Sequence, residues 1–325
     1  MSVAMQPDLS VGIDVGATKI SLGVVDQAGA IVATAAIEPW QYPALEDNLA
    51  HLASTLEELL APYDRGRFHD IGVGLPGTVD DARGLVVYTP NLRWIDLPLA
   101  GLLRDRTGLG VHLVQDTAAA AWGEFLFGAG RGLTNVVCAT LGSGLACGVI
   151  INGQLYGGAN HTAGEIGHLR IADPALICGC GANGCLEAGG SGLGLVKIVR
   201  RDIGRGAVTP LAALAPEALN AHAIFEAAHL GDPVALAAIN EMIGYLAVGL
   251  SAIAVSLTPD ALILSGGLSR EHDLLLEPLI QQIRAVSYRT VTENVRIVPA
   301  ALGPDAPLIG AAMLHRAPEY SGQSR

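Results

Sequence analysis

The sequence predicts an α/β protein made of two related halves, each a sheet flanked by helices. Three observations point there. Residues 11–33 (VGIDVGATKISLGVVDQAGAIVA) and 136–158 (VVCATLGSGLACGVIINGQLYGG) share one pattern: an apolar run, a Gly-containing turn, a second run, a second turn, a third run. Each copy is followed by segments that read alternately as helix and strand, the mark of an internal duplication. Gly is abundant, at 41 of 325 residues, and only 15% of the chain is charged, against about 25% in an average domain. That composition predicts tight turns and closely packed helices.

Each repeated segment reads as a three-stranded antiparallel meander. Asp26 to Gly29 and Asn152-Gly153 form the second turns, and Asn-Gly is a strong hairpin signal. In the first half, Leu49, Leu52, Leu56, Leu59 and Leu60 fall at helical spacing within 45–61. Residues 70–77 read as a buried strand ending in a turn, 97–107 as a helix, 111–115 as a strand and 117–127 as an Ala-rich helix. In the second half, 219–230 and 232–257 read as helices, 261–267 as a strand entering a Gly turn, 295–300 as the last strand and 307–316 as a closing helix. The expected division is a smaller domain of residues 1–120 plus 304–325 and a larger one of 121–303. Ligands are expected in a central cleft, at the carboxyl ends of strands.

The net charge is −12 and no Lys/Arg-rich run occurs, which argues against nucleic acid or anionic membrane as partner. Residues 242–259 carry no charge and reach the length of a short membrane span. Gly244, Gly249, two serines and Pro259 interrupt them, so they read as a buried helix. The N-terminus has no basic region followed by an apolar run, so no signal peptide is expected. Five cysteines, an odd number, then point to a reducing cytoplasm and to metal or packing roles. The low-charge, Ala-rich surface points to a homodimer or homotetramer.

Three motifs carry chemistry. His168, Cys178, Cys180 and Cys185 stand in an H-x9-C-x-C-x4-C spacing with Gly179, Gly181 and Gly184 interleaved. Three thiolates and an imidazole match a closed tetrahedral zinc site of structural type. Cys138 and Cys147 lie on predicted strands and read as core. GIDVGATK sets Asp14 at a strand end before Gly16, Thr18 and Lys19; LGSG sets Gly142, Ser143 and Gly144 at the matching turn of the second copy; LSGGLS sets Gly266 and Gly267 after a strand. Successive N–H groups in such turns can converge on phosphate, and a carboxylate beside them can hold hydrated Mg2+. Each turn alone also fits an ordinary hairpin. Asp116 joins a strand ending at Gln115 to a helix. It fits an N-cap or a general base that accepts a hydroxyl proton during phosphoryl transfer. Glu165 and Glu187 bracket the cysteine loop and could bind sugar hydroxyls or be solvated surface acids.

These stretches together resemble the ROK family (repressor, open reading frame, kinase) from about Val11 to His315. Matching blocks include GIDVGATK, GVGLPGTVD, TPNLRWIDLPL, QDTAAAAWGE, GANHTAGEIGH, CGCGANGCLE and LGPDAPLIGAA. The resemblance implies an actin/hexokinase-like (ribonuclease-H-like) duplicated fold and ATP-dependent, glucokinase-like phosphorylation of a sugar, with Mg2+ and structural Zn2+. It implies that Asp116 is the base and that Gly77, Asn91, Gln115, Glu165, His168 and Glu187 bind the sugar. It implies that Asp14, Gly16, Thr18, Lys19, Gly142, Ser143, Gly144, Gly266 and Gly267 surround Mg-ATP. The family's Asn-Asp-Ala-Asn block is Gln115-Asp116-Thr117-Ala118 here, and its first Gly-Gly is Gly16-Ala17. The longer Gln115 moves the amide by about 1.5 Å, one C–C bond, which leaves the acceptor open among glucose, other hexoses, amino sugars and cyclitols. The alternative is a non-catalytic sugar-binding regulator. That branch carries a helix-turn-helix, and only about ten residues precede the first strand here, too few for one.

Overall fold

A computed structural model describes residues 8–16, 18–39, 41–42, 44–89, 92–159 and 161–318. The chain opens with β1 (Leu9–Val15), β2 (Ile20–Asp26) and β3 (Ile31–Ile37), then α1 (Leu45–Leu60) and β4 (Phe68–Leu75). A small sheet of β5 (Thr78–Asp80), β6 (Leu85–Tyr88) and β7 (Ile95–Leu97) follows, then α2 (Leu99–Thr107), β8 (Val111–Gln115) and α3 (Asp116–Phe127). The second half brings β9 (Val136–Leu141), β10 (Leu145–Ile151), β11 (Gln154–Leu155), α4 (Leu186–Gly190), α5 (Gly192–Gly204), α6 (Ala221–His229), α7 (Pro233–Leu257) and β12 (Ala261–Ser265). It closes with α8 (Glu277–Val286), α9 (Arg289–Asn294), β13 (Arg296–Pro299) and α10 (Ala306–Ala312).

The two main sheets have the same plan. The first has the order β3-β2-β1-β4-β8 and the second β11-β10-β9-β12-β13. In the first, β1, β2 and β3 form the antiparallel meander while β4 and β8 extend it in parallel. In the second, β12 runs parallel to both β9 and β13. The hairpin signals hold at residue level. Asp26 Oδ1 accepts the N–H groups of Ala28 and Ala30, and Asn152 and Gly153 both have positive φ, 53° and 72°, as a two-residue primed turn requires.

The chain divides into two compact units: residues 1–135, 148–163 and 301–325, and residues 136–147 and 164–300. The expected boundary at residue 120 falls inside α3, a continuous 12-residue helix, all of which lies in the first unit. Within that unit, α10 lies across the sheet and against α3. Its approach explains the glycine content: a Cβ on Gly72 would stand 1.8 Å from the Ala311 carbonyl oxygen, and one on Gly310 1.8 Å from that of Ala119. Backbone packs directly on backbone there.

Helix starts and stops follow the sequence. Asp232 caps α7 through the N–H of Ala235, Pro233 takes its first turn, and Thr258 ends it at φ 42°. This helix is long and apolar enough to cross a membrane, but 61% of its most apolar window is buried, against α4, α5, α6 and α8. The sequence reading differs in several elements, and it contains no counterpart of α5, α8 or α9. Residues 97–107 begin with strand Ile95–Leu97, and Pro98 precedes the helix. The closing helix stops at Ala312, with a separate turn at Leu314–Arg316. The β5–β6–β7 sheet has no counterpart in the sequence reading; its strands are three or four residues long, too short to show a period.

Candidate functional site

In the first unit, the parallel strands β1, β4 and β8 bring three strand ends together. Asp14 pairs with Gly74, which pairs with Val114; Leu75 pairs with Gln115. Asp14 and Gln115 therefore stand at the carboxyl end of this sheet, with Asp116 as the next residue. A Cβ on Gly74 would lie 3.5 Å from that of Ala119 and 3.7 Å from the Asp116 Cα, so glycine lets α3 start against the sheet. Asp116 is half-buried, and its Oδ1 accepts the Thr117 N–H at 2.7 Å. The next turn is tight: Gly16 N–H donates to the Lys19 carbonyl at 2.9 Å. Thr18 and Lys19 are exposed, and Ala17 lies outside the described residues. Burial pushes the Asp14 carboxyl up to about 6, against the opposing charge of Lys19. A divalent cation beside it would favour the ionised form. Gly77 turns the chain after β4 with φ 97°. Asn91 lies outside the described residues.

In the second unit, β9 and β12 also run parallel, with Thr140 beside Ser265, so the turns that follow them are neighbours. Gly142 N–H donates to the Gly144 carbonyl at 3.1 Å. Gly266 has φ 91°, and its Cβ would stand 2.3 Å from the Leu141 carbonyl oxygen; no other residue fits. Gly142, Ser143 and Gly267 line a cavity of about 580 Å³, within the usual range for small-molecule sites. Its other wall comes from α5 and the segment before α6, including Leu193, Val196, Lys197, Arg200, Glu217 and Asn220. Sequence reading did not find these residues. The available signal was SGLGLVKIVRR: Ser191 caps α5 through the Gly194 N–H, and Leu193, Val196, Lys197 and Arg200 recur at helical spacing.

The cysteine loop is in the same unit. One donor atom each from His168, Cys178, Cys180 and Cys185 lies within 4.8 Å of the others. All five cysteines are free thiols, and Cys180 and Cys185 keep their sulfurs 3.8 Å apart, so the cluster is not a disulfide. Gly181 and Gly184 take positive φ, 85° and 70°, folding the short spans. Burial pushes the Cys178 thiol up to about 12, while the Ala182 N–H draws Cys180 down to about 7. His168 turns Nδ1 to the Cys178 sulfur at 3.8 Å and Nε2 to Glu165 Oε2 at 3.7 Å. A carboxylate behind the far nitrogen is the usual support of a metal-bound imidazole. The donor set, its closure and this partner fit a four-coordinate Zn2+. Glu165 and His168 sit on one short turn over Ile166–His168. Glu187 follows the loop and reaches the first glycine turn: its Oε2 accepts the Leu145 N–H at 3.0 Å.

The structure thus gathers the predicted residues into a carboxylate set on the first sheet, a glycine set at a cavity, and a thiol–imidazole set joined by Glu187 to the glycine set. A family model described as "ROK family" matches residues 10–317, and the chain belongs to that family. The glucokinase of Streptomyces coelicolor is 37% identical over 323 residues, covering 96% of this chain and 98% of that protein. The xylose repressor of Bacillus subtilis is 28% identical over 312 residues, covering 94% of this chain and 76% of that one. Among solved structures, the ROK family glucokinase from Streptomyces griseus, in complex with glucose and AMPPNP, has a TM-score of 0.80 and 36% identity and covers 95% of this chain and 99% of that one. The fold is the actin/hexokinase-like, duplicated α/β fold of these kinases.

Proposed function

We propose that the chain is an ATP-dependent sugar kinase of the glucokinase type. The observation that carries this reading is Asp116, a carboxylate fixed at the carboxyl end of β8, on a chain matching a glucokinase over nearly its whole length. The acceptor hydroxyl oxygen forms the new bond to the γ-phosphorus. The bond from that phosphorus to the β–γ bridging oxygen breaks, ADP leaves with the electron pair, and the hydroxyl proton passes to Asp116. Gly77, Asn91, Gln115, Glu165, His168 and Glu187 bind the acceptor sugar. Gly142, Ser143, Gly144, Gly266 and Gly267 present backbone to the phosphates, and the cavity beside them takes the nucleoside. Gly16, Thr18 and Lys19 complete the phosphate contacts. Mg2+ bound with the nucleotide supplies charge neutralisation at the phosphates, and Asp14 is the carboxylate that would hold its water shell. His168, Cys178, Cys180 and Cys185 hold a structural Zn2+ that shapes the loop bearing Glu165 and Glu187.

The likeness to a xylose repressor favours a second reading, a sugar-binding regulator without turnover. A coupled ADP-release assay separates the two. Asp116→Asn keeps shape and removes proton acceptance, and should lower kcat at least ~10²-fold with nucleotide affinity little changed. Near-normal turnover returns Asp116 to a capping role. Sugar binding by the unaltered protein without any ADP release establishes the regulator.

A further inference from the structure

The thiol–imidazole set of the second unit is unequally covered. Of the five cysteines, all among the described residues, Cys180 alone is exposed. Cys138, Cys147, Cys178 and Cys185 are between 0% and 4% exposed. Cys180 sits at the tip of a narrow turn. The Cys178 N–H donates to the Ala182 carbonyl at 2.7 Å, and the Gly181 N–H to the Cys178 carbonyl at 3.0 Å, so the stems are tied. The tip has free space on both sides: a Cβ on Gly179 or Gly181 would meet nothing within 4 Å. A reagent dissolved in water therefore reaches one cysteine sulfur first, and that sulfur has room to move.

The sulfur facing Cys180 is that of Cys185, at 3.8 Å. Cys178 instead faces His168 Nδ1 at 3.8 Å and Glu187 Oε1 at 3.7 Å. Two thiolates bound tetrahedrally to one Zn2+, each at about 2.3 Å, stand about 3.8 Å apart, so the Cys180–Cys185 pair is spaced for the metal. A disulfide needs about 2.05 Å, a closure of less than about 2 Å. A metal-bound thiol is deprotonated, and the thiolate is the form that oxidants meet. One exposed thiolate beside a buried second one supplies both parts of a reversible oxidation site, a sulfur that reacts and a sulfur that resolves.

The same loop is tied at two points to the residues proposed to bind nucleotide. Lys197, which lines the 580 Å³ cavity, donates from Nζ to the Ile177 carbonyl at 2.7 Å. Glu187 sets Oε1 against the Cys178 sulfur, while its Oε2 accepts the Leu145 N–H at the end of the glycine turn. A Cβ on Gly144 would stand 2.9 Å from that Oε2, so carboxylate and turn are in close contact. A rearrangement of the cysteine loop is therefore passed to one cavity wall and to one phosphate-facing turn.

We propose that Cys180 is an oxidation site, and that its conversion to a Cys180–Cys185 disulfide releases the metal and weakens nucleotide binding. The oxidant is a peroxide. The Cys180 thiolate attacks one peroxide oxygen: an S–O bond forms, the O–O bond breaks, and the departing hydroxide takes a solvent proton to become water. The Cys185 thiolate then attacks the sulfur of the Cys180 sulfenic acid: the S–S bond forms, the S–O bond breaks, and a second hydroxide leaves as water. The two sulfurs lose two electrons and the peroxide gains them. His168 and Cys178 remain as ligands, too few for a four-coordinate site.

The proposal rests on the zinc reading. Zinc-loaded, reduced protein is exposed to hydrogen peroxide while three quantities are followed: Zn2+ in solution with a chromophoric chelator, crosslinked peptides by mass spectrometry, and affinity for AMPPNP. Zn2+ release should track the Cys180–Cys185 crosslink one to one, with Cys138 and Cys147 still reduced, and the AMPPNP Kd should rise at least about tenfold. Dithiothreitol with added Zn2+ should reverse all three changes; dithiothreitol with a chelator should reverse the crosslink alone. Cys180→His, which keeps four ligands in a Cys2His2 set, should hold Zn2+ and release it under peroxide at least about tenfold more slowly. Should that variant lose its metal, crosslink mapping on the unaltered protein decides. Zinc retained under peroxide, a crosslink that omits Cys180 or Cys185, or unchanged AMPPNP affinity in the zinc-free disulfide form overturns the proposal. A reduced protein that takes up no zinc overturns the zinc reading, and this proposal with it.

Discussion

β1, β4 and β8 end at Asp14-Val15, Leu75 and Gln115, with Asp116 next, whereas their counterparts β9, β12 and β13 end at Leu141, Ser265 and Pro299, with Gly142 and Gly266-Gly267 after the first two. The strand order is the same in both sheets; the residues at the strand ends are not. One sheet offers carboxylates, suited to a proton and a hydrated cation. The other offers glycine-rich turns that expose backbone, suited to groups that carboxylates repel and bulky side chains exclude. Duplication supplied two equivalent sets of strand ends, and substitution at a handful of turn positions gave them opposite chemistry.

The halves also differ in what completes them. The first is closed by α10, whose backbone rests on the sheet glycines. The second carries the thiol–imidazole loop between β11 and β12. Breaking that loop should give the largest effect. Cys185 is 1% exposed, and Cys185→Ala removes one ligand and should abolish stoichiometric zinc, costing several kcal/mol (~3 or more) of stability, because structural metal binding is folding energy. Nucleotide affinity should fall with it: the Lys197 ammonium, at the cavity wall, donates to the Ile177 carbonyl at 2.7 Å beside Cys178, and Glu187 pins the turn before Leu145. Metal analysis, a thermal melt and nucleotide titration check this. A zinc-free variant with unaltered melt and affinity would make the cysteines packing residues.

The next effect tests the glycine turns. Gly266→Ala forces a Cβ to 2.3 Å from a carbonyl oxygen at φ 91° and should cost about 1–3 kcal/mol, with nucleotide affinity down at least about tenfold. Gly267→Ala meets nothing within 4 Å and should leave the melt unchanged. Equal behaviour of the two variants would remove the case for a required glycine.

The contrast between the sheets was legible in the sequence because it is written in short, contiguous motifs: strand, turn, then Asp or Gly. The cysteine cluster was legible for the same reason. The cavity proposed for the nucleoside was not. Its walls come from α5 and from residues 216–221, and only folding brings them to Gly142 and Gly267. Glu124 was equally hidden. A Glu in an Ala-rich helix reads as solvated, yet it is 0% exposed, and its carboxylate accepts the N–H groups of Ala129, Ala301 and Leu302. These partners lie up to 178 residues away, beyond any local pattern.

A smaller effect sharpens the acceptor side. Gln115→Asn withdraws the amide by about 1.5 Å from a cavity it lines in the first unit. A site built around a hydroxyl discriminates by leaving a polar group unpaired, so the relative kcat/KM of glucose against glucose epimers and cyclitols should rise several-fold (~5-fold). An unchanged ranking across that panel would make Gln115 a neutral replacement.

The smallest effect belongs to the first sheet alone. His112 on β8 sets Nε2 3.2 Å from Asp70 on β4 and Nδ1 3.3 Å from Asp81, which follows β5. The bond to Asp70, then that to Asp81, raises its pKa to about 9. β13, the equivalent strand, has no histidine. A histidine whose folded value lies above its ordinary value of 6.5 favours folding when protonated. Its contribution is therefore complete below about pH 6.5 and is lost as pH rises through about 9. Asp70 is 43% exposed, so solvent screening limits the gain to about 1 kcal/mol. Denaturant melts at pH 6, 8 and 10 on the unaltered protein and on His112→Gln should show a stability difference that shrinks toward the alkaline end. Subtracting the two curves removes the shared titration of lysines, tyrosines and thiols. A difference that stays constant from pH 6 to 10 would mean that the imidazole contributes packing but no charge to the join between β8, β4 and the small sheet.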